Sequence, residues 1–129
     1  MAPRDVAARA EFIDLVKDLL AGALDVSARR MFSGSGLYAD GVIFALVIGE
    51  ALYLKTDDES RRAFESEGLS PFSFTRAGRR IETSYWRAPD RLLDDADEMQ
   101  VWALRALAVA KRAGQKPKPR KSPSRSGRS

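Results

Sequence analysis

Residues 36–55 read GLYADGVIFALVIGEALYLK, and this stretch decides the fold. Asp40-Gly41 is the kind of pair that closes a two-residue β-hairpin, where both turn positions favour positive φ. Leu37-Tyr38 and the apolar run Val42–Ile48 flank it. An apolar residue at every position of that run marks a central strand. It is either covered on both faces, or covered once and paired at an interface. Gly49-Glu50 supplies the next tight turn, and Leu52, Tyr53 and Leu54 lead a third strand that ends near Lys55. Three antiparallel strands in meander order follow.

Upstream, Phe12, Leu15, Val16, Leu19 and Leu20 recur at spacings of three and four, opposite Arg9, Glu11, Asp14, Lys17 and Asp18. That period predicts an amphipathic helix stopping near Gly22. Ser27–Phe32 reads as an edge strand. Downstream, Thr56 with Glu59 fits a capping box for a short helix that carries Ala63 and Phe64 and ends at Gly68. Pro71–Phe74 and Ile81–Trp86 pair around Arg76-Ala77-Gly78-Arg79. Asp95 with Glu98 opens a last helix, whose stripe holds Met99, Trp102, Ala103, Ala106 and Ala110, widened by Val101, Leu104 and Leu107. A helix this apolar has more than one face to bury, which suits packing between the sheet and a second chain. The expected fold is α+β: an antiparallel sheet in the order α-β-β-β-α-β-β-α, with helices packed on it.

Composition removes several function classes. The chain of 129 residues has no cysteine and no histidine, so thiolate metal sites, disulfides and imidazole bases are excluded. Residues 115–129 hold six of the 22 Lys and Arg and none of the 18 acids, which leaves 16 against 18, a net of −2, in residues 1–114. The basic character therefore belongs to the tail, Lys116, Lys118, Arg120, Lys121, Arg125 and Arg128. Its Lys, Arg, Ser and Pro cannot form a core, so 1–114 is expected to be the domain and 115–129 disordered. Such a tail attracts polyanions in a salt-sensitive way. No signal-peptide core or membrane-length apolar run is present, and a cytoplasmic protein without membrane contact is expected.

Candidate chemistry is sparse. Gly34 and Gly36 precede strand-like residues rather than a helix, so they suit a bend or bulge and not a phosphate loop. Tyr38, Tyr53, Tyr85 and Trp86 interleave with Arg29, Arg30, Lys55, Arg79, Arg80 and Arg87, a set suited to stacking single-stranded nucleic acid. Ordinary sheet packing accounts for them more simply. The acids at 57–59 and 94–98 stand at helix starts, where capping explains them better than a metal does. Serines 33, 35, 73 and 84 lack a histidine base, and no local motif places Lys17, Lys55 or Lys111 beside them. A polar cleft lined by Tyr38, Lys55 and Tyr85 would be the mark of a small-molecule enzyme.

Taken in order, Arg29-Arg30-Met31-Phe32, Gly34, Gly36-Leu37-Tyr38, Asp40-Gly41, Phe44-Ala45-Leu46 and Leu52-Tyr53-Leu54-Lys55 resemble the N-terminal domain of the TfoX/Sxy family. So do Phe64, Gly68, Pro71-Phe72-Ser73-Phe74, Ser84-Tyr85-Trp86, Pro89 and Leu93-Asp94-Asp95. The resemblance covers roughly residues 10–112. It implies a secretion-chaperone-like α+β fold and relatives that regulate natural competence together with other transcription factors. Family regulators carry a second, helical C-terminal domain where this chain has its basic tail, and Ser33 stands where the family often has glycine. The resemblance supplies no catalytic residue, cofactor or metal.

The expectation is thus a non-enzymatic interaction or regulatory domain acting through protein partners, including the transcription machinery, and associating with itself. Arg79, Arg80, Tyr85 and Trp86 are the expected partner surface. The alternative is a nucleic-acid-associated protein that uses the tail.

Overall fold

Asp40 and Gly41 have φ of 51° and 81°, the paired positive values of a type I′ turn. This turn joins β2 (Ser35–Ala39) to β3 (Val42–Ile48) in the computed structural model, which describes residues 2–31 and 34–115. Gly49 alone has positive φ in the next turn, and Ile48 pairs with Ala51 at the start of β4 (Ala51–Lys55). A second I′-like pair, Ala77 and Gly78, closes β5 (Pro71–Arg76) on β6 (Arg79–Arg87). With β1 (Ser27–Arg30) as an edge, the six strands run antiparallel in the order β1-β2-β3-β4-β6-β5. The α+β class holds, and the helices and strand groups follow one another in the expected order, with four strands rather than three between α1 and α2. The segment read as an edge strand over Ser27–Phe32 is a strand of its own as far as Arg30, and Phe32 lies outside the described residues.

One irregularity explains how the apolar run is used. Leu37 pairs with Ala45, but Tyr38 pairs with Ile43, so Phe44 is an extra residue in β3. A bulge of this kind turns two successive side chains to the same side. Val42, Phe44, Ala45 and Val47 therefore pack in or against the core, while Ile43, Leu46 and Ile48 belong to the opposite face. Each large side chain fully buried contributes about 2 kcal/mol.

The helices lie on the core side. α3 (Ala96–Gln115) packs on β3 and β4, and its Ala103, Ala106 and Ala110 let it approach the sheet closely. α1 (Ala2–Leu20) packs on α3 and on the 3-10 turn Asp90–Asp94 through Phe12, Val16 and Leu20. Leu15 departs from the expected stripe and is exposed. Asp95 caps α3 as expected, accepting from the Glu98 backbone N–H at 3.0 Å.

The reciprocal capping expected of Thr56 and Glu59 forms one residue later, on the turn that leads into α2 (Arg61–Glu65), while Ser60, at the N-cap of α2 itself, makes no side-chain cap bond. Asp57 and Ser60 exchange the reciprocal bonds, at 3.0 and 2.8 Å. Thr56 is still held by the sheet, because its N–H and its hydroxyl both donate to the Ser84 carbonyl at 2.8 Å. Of the expected tail 115–129, Gln115 is the last residue of α3, and the rest, with all six tail cations, lies outside the described residues. Among the described residues, no helix is long and apolar enough to cross a membrane.

Candidate interaction surface

With the helices on one side, the other face of the sheet has no helical cover among the described residues. It is also concave. Met31, just past β1 at one edge, and Phe72, Phe74 and Arg76 of β5 at the other line a single groove with Leu46 and Ile48 of β3. Side chains from opposite edges of a six-stranded sheet meet over its middle only when the sheet curls strongly. The groove is mostly apolar and measures about 580 Å³. Met31 and Phe74 are 42% and 41% exposed, unusual for large apolar side chains so close together.

The two glycines serve this geometry. A Cβ on Gly36 would stand 2.7 Å from Ile43 Cδ1 and 2.9 Å from Met31 Sδ, so glycine lets these side chains close over β2. A Cβ on Gly34 would stand 2.0 Å from the Val47 carbonyl oxygen. Strand β2 follows, not a helix, and the register shift lies at Leu37/Tyr38 just beyond. Close strand approach, next to a bulge, is what these positions require.

Toward its other end the face becomes polar and cationic. Arg29 lies over the Tyr38 ring at 5.4 Å, and Lys55 over the Tyr85 ring at 5.1 Å. Lys55 Nζ also donates to Ser84 Oγ at 2.6 Å. Burial lowers the Lys55 pKa below its ordinary value. Burial, and secondarily the neighbouring Tyr38, raises that of Tyr85.

Strand alternation sorts the residues singled out in the sequence. Tyr53, Lys55, Tyr85 and Arg87 share the open face through the pairs Tyr53–Arg87 and Lys55–Tyr85. Arg76 and Arg79 sit opposite each other at the β5–β6 turn, in step with Phe74 and Ile81. Trp86 pairs with Leu54 and points to the helical side, 6.4 Å from Phe64. Arg80 alternates with Arg79 and lies 3.9 Å from Glu82. The four expected partner-surface residues are thus divided, with Arg79 and Tyr85 on the open face and Arg80 and Trp86 on the other. Tyr38, Lys55 and Tyr85 do cluster, but on an open strand face. Among the described residues, no group of three or more acids could hold a metal ion.

The groove residues Met31, Ile48, Phe72 and Phe74 were not candidates from sequence. The signal available was the two-residue spacing of Phe72 and Phe74, together with the apolarity of Val42–Ile48 on both faces.

A family model, that of the TfoX N-terminal domain, matches residues 18–110. Comparison with curated proteins gives no match. The matched span contains the whole sheet, the groove and most of α3.

Proposed function

The chain belongs to the TfoX N-terminal domain family, and we propose that it acts without catalysis, as an interaction domain in transcriptional or competence-related regulation. The observation that carries this reading is the concave, helix-free sheet face, with Met31 and Phe74 exposed around an apolar groove. Concave apolar surface of this kind is the usual seat of a protein or peptide partner. The regulatory setting comes from the TfoX/Sxy resemblance. Photo-crosslinking in the native cell tests the reading, with the reactive group replacing Phe74 or, on the helical side, the exposed Glu65. Protein adducts at position 74 and not at 65 are expected; equal yields, or none at 74, would overturn it.

Two further contacts are part of the proposal. Val101 and Leu104 of α3 are 53% and 44% exposed, which favours self-association through the helical side. A monomeric mass by light scattering at micromolar concentration would remove that part. The six cations of the tail favour salt-dependent attachment to nucleic acid. Equal DNA affinity of 1–129 and 1–114 across a salt series would remove the tail from it.

A further inference from the structure

The open sheet face carries a charge pattern that restricts its partner. By alternation and register, Arg29, Lys55, Arg76 and Arg79 all belong to it, and no strand residue on it is acidic. None of these four cations has a carboxylate within ion-pair distance among the described residues. Arg87, on the same face, is held by Asp90 at 3.3 Å, and elsewhere Arg61, Arg80, Arg91, Lys111 and Arg112 each have at least one carboxylate partner. Asp25 and Asp40 share a hollow with Arg29 and Tyr38 at the sheet corner, but Asp40 is engaged by Lys111 at 2.8 Å. The net negative charge of residues 1–114 is therefore carried elsewhere on the molecule.

Resting on the interaction reading above, we propose that this face docks a short acidic segment of another protein. Large apolar side chains of that segment enter the groove between Met31, Ile48 and Phe74. Its carboxylates meet Arg29, Lys55, Arg76 and Arg79 around the rim. Arg76 lines the groove itself, which places a guanidinium, with its forked donors, directly beside the apolar anchors.

Two other occupants fit less well. A single-stranded nucleic acid needs free ring faces for its bases. Here Arg29 covers Tyr38, Lys55 covers Tyr85, and Tyr53 meets Phe72 edge-on at 5.5 Å. Phe74 keeps an exposed ring in the groove, but Met31, Leu46 and Ile48 offer none, so successive bases would find no run of rings to stack on. A second copy docked face to face would bring two cationic rims together, and like charges across an interface oppose association.

The test is selection of a displayed random peptide library, about 16 residues long, against the full chain, with enriched peptides then measured in solution. The expected binders carry an excess of Asp and Glu beside two or more large apolar residues and weaken as salt rises. Phe74→Ser and the pair Arg76→Glu, Arg79→Glu should each reduce their affinity about tenfold or more, with melting temperature unchanged. Binders without an acidic excess would overturn the proposal, as would no enrichment. So would binding that survives both sets of substitutions, which would point to the basic tail. An oligo-dT strand that displaces the peptides and binds more tightly would assign the face to nucleic acid instead. Crosslinking at position 74 that persists while acidic peptides fail would leave the interaction reading standing and sink only this inference.

Discussion

Arg112, in the last turn of α3, donates a 2.9 Å hydrogen bond from Nη2 to Oδ2 of Asp57, just ahead of α2. Asp57 also accepts the Ser60 backbone N–H at 2.8 Å. The Ser60 bond first, and then Arg112, hold the Asp57 carboxyl down to about 2, against an ordinary 3.8. One carboxylate therefore ties the turn that leads into the short helix to the last turn of the long one. A depressed carboxylate pKa stabilises the fold above the unfolded-state value, and that contribution is lost as pH falls from about 4 to about 2. The side chain is 39% exposed, so solvent screening reduces the contribution to about 1 kcal/mol. Asp57→Ala should lose about that much in urea unfolding at neutral pH and converge with the parent near pH 2. A difference that stays constant with pH would show that the charge contributes nothing.

Gly34 and Gly36 separate backbone from side-chain crowding. At Gly34 an added Cβ meets the Val47 carbonyl, which the β-ladder holds in place. At Gly36 it meets the ends of Ile43 and Met31, which have rotamers to use. Gly34→Ala is expected to cost about 3 kcal/mol or to prevent folding, and Gly36→Ala about 1 kcal/mol. Equal losses in chemical denaturation would contradict the distinction. The Gly36 change should also disturb the groove, since Met31 has to move.

How much of this was legible depends on the range of the interaction. Asp40-Gly41 and Asp95 act on neighbours within a few residues, and each does in the fold what its local chemistry dictates. Thr56 misled because a long-range partner, the Ser84 carbonyl, keeps it in the sheet and passes the capping role to Asp57. The bulge at Phe44 left no trace in an unbroken apolar run, so which of its residues face the core could not be read. The surface depended on long-range structure twice over. Tyr85 and Trp86 are adjacent in one strand, so alternation alone puts them on opposite faces, but only their pairing with Lys55 and Leu54 decides which of them faces the open side. Met31 and Phe74 meet over one groove only because the sheet curls.

Phe64 links the small helix to both tryptophans of the chain. Its ring meets Trp102 edge-on at 4.9 Å and Trp86 at 6.4 Å. It is 3% exposed. Phe64→Ala should destabilise by about 3–5 kcal/mol, and Phe64→Leu by much less, because leucine refills most of the volume. Near-UV circular dichroism offers a readout independent of stability. The tryptophan bands should weaken in Phe64→Leu while the far-UV spectrum is retained. Unchanged near-UV bands would mean that Phe64 does not order the two indoles.

Lys55 allows the open face to be altered without weakening the fold. Burial lowers its pKa below 10.5, so the folded state binds this proton less readily than the unfolded chain does. Stability should then rise with pH across the interval between the depressed value and 10.5. Lys55→Met removes the buried charge and keeps the stem against Tyr85, giving up the 2.6 Å bond to Ser84. The variant should be as stable as the parent at neutral pH, or more so, and should lack the parent's gain on the alkaline side. Urea unfolding between about pH 7 and pH 10 checks both points. A loss of more than about 1 kcal/mol at neutral pH would show that the Ser84 bond and the Tyr85 contact outweigh the cost of burial.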